Sequence, residues 1–263
     1  MNDILHEIIA HKREEVARHK AEITYSDLEK QLAECRLPIY SMADALRNSP
    51  SGIIAEFKRR SPSKGWINRE ADAATVTRAY EAAGAAALSV LTDEKYFGGT
   101  QSDLKAVTPQ VSIPAMRKEF IIDEYQIMEA RLAGASAILL IAAALTKEES
   151  RRFTRFAQGL GMDVILELHD ESEVEYVAPE NDIVGINNRN LGTFITDIQK
   201  SYQMIDLLPR DAVLVSESGI SNPQTVRELR QAGYRGFLIG ENFMKTENPG
   251  ESLNKFIAEL NSK

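Results

Sequence analysis

Eight short apolar runs follow one another along the chain, beginning near Gly52, Ala86, Ile113, Ser136, Asp163, Asp182, Ala212 and Gly236. Helical candidates separate and follow them over 71–83, 101–107, 123–133, 146–158, 170–177, 197–207, 222–232 and 251–260. Asp123, Thr146, Asp170 and Asn222 stand where N-caps belong, and Gly84, Gly134, Gly159 and Gly233 where left-handed endings belong. The runs start 19 to 34 residues apart, the length of a strand–helix unit. This predicts an α/β fold, a (β/α)8 TIM barrel, with its active site where the strands end. An open doubly wound sheet is the competing architecture, and eight strands leading into a final helix favour closure.

About fifty residues precede the first run. Residues 3–20 read as an amphipathic helix with Ile4, Leu5, Ile8, Ile9 and Val16 at helical spacing, and two shorter helices are expected near Ser26 and Ser41. The expected organisation is an N-terminal helical extension over 1–50 on a barrel over 51–263, one structural domain in all, with no fused second enzyme. Such an extension usually closes one end of a barrel or mediates subunit contact, and its bland reading is a bottom plug.

At 263 residues, 43% apolar and 27% charged, the chain can bury one substantial core. It has neither the apolar run of a membrane helix nor the h-region of a secretory signal. The single cysteine, Cys35, rules out an internal disulfide and suits a reducing, cytoplasmic setting. A net charge of −8 argues against nucleic acid and anionic membrane as partners, but not against a small anionic substrate held by a few focused cations. A monomer or weak homodimer is expected. The four histidines do not cluster: His6, His11 and His19 fall on the first helix and His169 stands by itself, so no metal site is expected.

The strand ends carry groups foreign to a core. Alternation puts Ile54, Glu56 and Lys58 on one face, and likewise Met116 with Lys118, Ile165 with Glu167, Gly185 with Asn187, and Val215 with Glu217. These faces belong in the lumen, because an unpaired charge among the helices would be costly. A self-satisfied salt-bridge cluster is the bland reading. Two lysines and three carboxylates at one mouth exceed what plugging requires.

Ser216-Glu217-Ser218-Gly219-Ile220 after the seventh run and Ile239-Gly240-Glu241-Asn242 at the eighth form a second constellation. Its glycines let backbone N–H groups approach a ligand, at the place where barrels of this kind hold phosphate. Singly, each glycine is only a turn. Ser61-Pro62-Ser63-Lys64-Gly65 adds polar groups and a cation beside Lys58, or is a solvated loop. Arg189 offers a planar fork for a carboxylate or phosphate, or is a surface arginine.

Seven segments closely resemble the indole-3-glycerol-phosphate synthase family: IIAEFKRRSPSKG (53–65), LSVLTDEKYFGG (88–99), RKEFIIDEYQI (117–127), LELHD (166–170), GINNRNL (185–191), VSESGI (215–220) and FLIGENFMK (237–245). The resemblance covers the whole chain. Glu119 departs from it, standing where the family usually has aspartate.

The resemblance implies a cofactor-free, metal-free reaction on 1-(2-carboxyphenylamino)-1-deoxyribulose 5-phosphate. The ring closes onto the sugar carbonyl, carbon dioxide leaves, and water follows. By resemblance Lys118 would be the general acid of closure and Glu167 would assist proton transfer in dehydration. Lys58 would hold the substrate carboxylate and share the later acid role. Glu56, Asn187 and Glu217 would orient the lysines and the anthranilate portion, with Arg189 fixing loop or ligand. Ser61, Ser218, Gly219, Gly240 and the backbone at Glu241 would take the phosphate, and Phe120 with Ile8 would wall the aromatic ring.

Phosphoribosylanthranilate isomerase is the nearest rival on this fold, but it relies on a cysteine ending its first strand and an aspartate ending its sixth. Lys58 and Asn187 stand there instead. A Schiff-base aldolase is a second rival, and a non-catalytic phosphate-ligand-binding barrel is a third.

Overall fold

The structure, a computed structural model, describes residues 4–190 and 192–262. Asp3, at the start of the expected first helix, and Leu191, closing the GINNRNL segment, lie outside the described residues. Eight parallel strands, β1 (Ile53–Phe57), β2 (Ala87–Leu91), β3 (Ala115–Lys118), β4 (Ala137–Ile141), β5 (Asp163–Leu168), β6 (Ile183–Asn187), β7 (Val213–Glu217) and β8 (Gly236–Ile239), form a closed barrel. Closure is direct: Ile54 of β1 registers with Leu238 of β8, which excludes the open sheet.

Alternation along each strand splits the core in two. Ile53, Ala55, Phe57, Leu88, Val90 and Leu140 pack under the helices, while Ile54, Met116, Leu139, Ile165, Val215 and Leu238 fill the lumen. The expected register is the one observed, so Glu56, Lys118, Glu167 and Glu217 continue the lumen column upward.

Three helices precede the barrel: α1 (Ile4–Glu22), α2 (Tyr25–Glu34) and α3 (Met42–Asn48). They pack at three places on the barrel. At the upper mouth, Leu5 and Ile8 of α1 join the lumen cluster and line the cavity there. At the bottom, the first turn of α3 sits on Asp163, whose carboxylate accepts from Met42 N at 2.6 Å and Ala43 N at 3.0 Å. A carboxylate at a helix N-terminus satisfies donors that have no partner within the helix. On the flank, α2 buries Leu28 against Tyr125 and Met128.

Asp123, Thr146, Asp170 and Asn222 all cap helices through their side chains. Three expectations need correction. The segment after β5 is a 3-10 helix over Glu171–Tyr176 rather than an α-helix. The segment after β6 is a short α-helix, Gln199–Met204, running into a 3-10 turn. Gly159 lies within helix Lys147–Gly159, and the left-handed residue is Gly161 at φ 83°. The helix extends slightly further before reversing, because Phe156 and Ala157 carbonyls accept the Leu160 N–H.

Candidate active site

All but one of the residues expected at the site line a single cavity of about 440 Å³ at the C-terminal end of the barrel. At its floor Lys118 Nζ lies 2.9 Å from Glu217 Oε2 and 3.2 Å from Glu167 Oε2, both carboxylates almost wholly buried. Burial opposes the lysine's charge, but Glu217, Glu167 and Glu56 outweigh it and hold Lys118 above its ordinary pKa. Lys118 is therefore an ammonium at neutral pH. Burial and the neighbouring Glu167 charge push Glu217 up to about 8, against the pull of Lys118. Glu167 shifts the other way: burial is outweighed by Lys118 and His169, which hold it below its ordinary value. Two carboxyls beside one ammonium are thus shifted in opposite directions, the pattern expected of an acid and a base.

Across the floor, Lys58 Nζ pairs with Glu56 Oε1 at 2.5 Å. Burial disfavours the Glu56 charge, yet Lys58, Lys118 and Arg189 keep it below its ordinary value. Asn187 Oδ1 accepts from Arg189 N at 3.0 Å and so shapes the turn that carries the guanidinium. Arg189 is half-buried on the cavity wall, donates to Thr196 Oγ1 and lies 3.9 Å from Glu241. The surface-arginine reading fails.

Two glycines make room for the carboxylates. A Cβ on Gly185 would overlap Glu217 Oε1, and one on Gly240 would overlap the Glu56 side chain. Ordinary strand residues at those positions would push both carboxylates off their lysines.

At the other end, Ser218 and Gly219 both adopt left-handed backbone, φ 67° and 79°, forming a turn on the cavity wall. Asn188 holds it, donating from Nδ2 to Ser216 Oγ and to the Ser218 carbonyl, both at 3.1 Å. Gly240 and Glu241 begin the short helix Glu241–Met244, which has no side-chain cap, so its first N–H groups are left for a ligand. Successive backbone donors of this kind make an anion-binding concavity.

Ser61 is the exception. It sits on a small hairpin with its Oγ buried and unpartnered, while Pro62, Ser63 and Lys64 reach the cavity. The β1 loop reverses at Gly65 and turns Ser61 inward, a placement that strand periodicity does not foretell.

The apolar wall comprises Phe120, Phe97, Leu5 and Ile8, with the two aromatic rings 6.0 Å apart. Phe97 was not among the expected residues, nor was His169, whose Nε2 lies 3.1 Å from Glu167 Oε1. Alternation from Ile165 through Glu167 already places His169 on the lumen face, and that signal was available. Lys12, fully buried beside Asp93 and Glu119, had a subtler one: it interrupts the apolar stripe between Ile8 and Val16.

The chain matches the family model described as indole-3-glycerol phosphate synthase over residues 5–259. It is similar to the indole-3-glycerol phosphate synthase of Bacteroides thetaiotaomicron, 54% identical over 260 residues, covering 99% of this chain and 100% of that protein. The Neisseria meningitidis serogroup B protein of the same name is 45% identical over 94% of this chain and 96% of its own length. Among solved structures, a mutant tryptophan synthase alpha-subunit from Pyrococcus furiosus superposes with a TM-score of 0.61. That match spans 80% of this chain and 98% of the other at 15% identity, a likeness of fold alone.

Proposed function

Since this chain belongs to the indole-3-glycerol phosphate synthase family, we propose that Lys118, Glu167 and Lys58 carry out its ring closure, decarboxylation and dehydration as follows. The reaction takes 1-(2-carboxyphenylamino)-1-deoxyribulose 5-phosphate to indole-3-glycerol phosphate in tryptophan biosynthesis. The anthranilate ring carbon that bears the carboxylate attacks the sugar carbonyl carbon, and Lys118 protonates the carbonyl oxygen as the bond forms. Carbon dioxide departs and leaves its bonding pair to restore the ring. The resulting hydroxyl then leaves as water while the neighbouring carbon gives a proton to Glu167.

Lys58 holds the substrate carboxylate until it is expelled and shares the proton delivery of dehydration. Glu56 fixes Lys58, Glu217 fixes Lys118, and Asn187 with Arg189 orients the anthranilate end. Ser218, Gly219, Gly240 and the Glu241 backbone hold the phosphate, with Ser61 supporting the loop beside it. Phe120 and Ile8 wall the aromatic ring. Positioned acid–base groups of this kind contribute about 10²- to 10⁴-fold each.

The observation that carries this reading is the Lys118 ammonium, bracketed by Glu167 and Glu217, in the same cavity as the left-handed Ser218-Gly219 turn. The net charge of −8 argues against nucleic acid and leaves room for a small anionic substrate held by focused cations, and a monomer or weak homodimer in the cytoplasm completes the proposal. Among the described residues no helix is long and apolar enough to cross a membrane. The test is to mix the purified protein with the substrate, chelator present, and follow indole fluorescence. A rise that disappears in Lys118→Ala supports the assignment. Binding by calorimetry without any rise would leave a phosphate-ligand-binding barrel instead.

A further inference from the structure

The two carboxylates on Lys118 are not equivalent. Glu167 is paired through both oxygens, Oε2 to Lys118 at 3.2 Å and Oε1 to His169 Nε2 at 3.1 Å. Glu217 is paired through Oε2 only, and its Oε1 is buried without a hydrogen-bond partner. On its far side His169 Nδ1 lies 3.8 Å from Glu173, whose carboxylate also accepts the His169 backbone N–H at 2.6 Å. The ring is buried with no well-aligned hydrogen bond at either nitrogen, so charge is what ties it to its two carboxylates. Glu167 therefore has two cationic partners and Glu217 only the shared ammonium, so a proton bound by the pair is favoured on Glu217.

We propose that His169 is a positioning residue that keeps Glu167 ionised and thereby assigns the shared proton to Glu217, leaving Glu167 as the base and Glu217 as a proton store behind Lys118. This rests on the ring-closure reading. In that reading each turnover consumes one proton, because a carboxylate leaves as neutral carbon dioxide while water and the product account for the rest. Lys118 gives its proton to the carbonyl oxygen, and Glu217 returns one to the amine that remains. Other charges facing the group are Glu56, Lys58 and Arg189 across the floor, and Asp170 and Lys200 near Glu173. The electrostatics agree with the geometry: burial works against the imidazolium, but Glu167 and Glu173 raise His169 to about 9.

The test is the pH dependence of kcat and KM in the wild type, His169→Gln and Glu173→Gln, together with an NMR titration of the His169 ring. Loss of the imidazolium should move the acid limb, set by Glu167, upward by about one pH unit or more. Because that limb lies below pH 4.5 in the wild type, kcat should fall chiefly on the acid side of the profile, with KM held within about threefold. Glu173→Gln should shift the limb the same way by less, which covers the case in which His169→Gln does not fold. A role in packing alone would leave the limb in place, and that result overturns the proposal, as does a neutral ring at neutral pH. If the ring is protonated in the wild type and reverts towards 6.5 in Glu167→Gln, the pairing stands. A wild type that then forms no indole overturns the ring-closure reading and not the pairing.

Discussion

Lys12 Nζ, fully buried on α1, lies 3.1 Å from the carboxylate of Glu119, the residue next to Lys118. The same ammonium reaches Asp93 at 3.0 Å in the loop after β2, and Glu119 also accepts from Thr92 Oγ1 at 2.8 Å. One lysine thus ties the helix that walls the cavity to the loops following β2 and β3. Glu119 spans that gap.

Lys12→Ala should strip the counter-charge from two buried carboxylates and cost about 3–5 kcal/mol. Urea unfolding of the variant measures it. A loss under about 1 kcal/mol would mean that Arg117 and Thr92 satisfy Glu119 without help. KM should also rise, since Leu5 and Ile8 ride on the same helix.

Lys118→Ala should lower kcat by about 10²- to 10⁴-fold while KM stays within about tenfold, because the contact removed forms chiefly in the transition state. Steady-state indole fluorescence gives both numbers. An unchanged kcat would remove Lys118 from the role of acid.

Gly185→Ala should act at a distance from the substrate. The new methyl group displaces Glu217 from Lys118, and overpacking of this kind costs about 1–3 kcal/mol of stability. We expect the alkaline limb of the kcat profile to move with Glu217, whereas inhibition by inorganic phosphate should be untouched. Equal losses in both would point to general distortion of the barrel.

Gly219→Val should do the reverse. Its backbone has φ 79°, and a Cβ there would press on Thr196 Cγ2 at 2.7 Å. Valine cannot hold that conformation cheaply, so phosphate should inhibit more weakly and KM should rise. Unaltered phosphate inhibition would place the anion elsewhere.

Stability should peak near pH 4.5 and decline on both sides, with Glu217 alone lowering it up to pH 6.5 and His169 steepening the fall above that. His169 is raised from 6.5 to about 9 and Glu217 from 4.5 to about 8, so the folded state holds protons that the unfolded chain has lost. Their contributions are complete below the unfolded values and disappear as pH rises through the folded ones. Glu56, Glu119 and Glu167 are lowered from 4.5, so theirs are complete above that value and lost as pH falls below it. Each proton taken up on folding gives a slope of about 1.4 kcal/mol per pH unit. Urea unfolding across this range checks the sign, and stability rising between pH 6.5 and 9 would show that neither group holds its proton.

Much of this was legible from local pattern. Period-two alternation placed Glu56, Lys118, Glu167 and Glu217 on the lumen face, and the caps at Thr146 and Asn222 marked where helices begin. Those rules depend on neighbours within a few residues, so they survive without knowledge of the fold. Legibility ended where a residue's environment comes from distant chain. Ser61 followed the polar pattern of its loop, yet the hairpin turns it inward. Gly185 read as a strand residue paired with Asn187, while its purpose is space for Glu217.

By itself, then, the sequence determined eight strand–helix units and which side chains point inward, because strand alternation and helix capping are short-range, while the register of Ile54 with Leu238 closed the barrel. Only the tertiary structure decided that Glu167 is doubly paired and Glu217 singly, that Lys12 locks α1 over the mouth, and that the extension closes the barrel at both ends. Charge pairing in a buried site depends on distances of about 3–4 Å between residues far apart in the chain, and no local pattern encodes them.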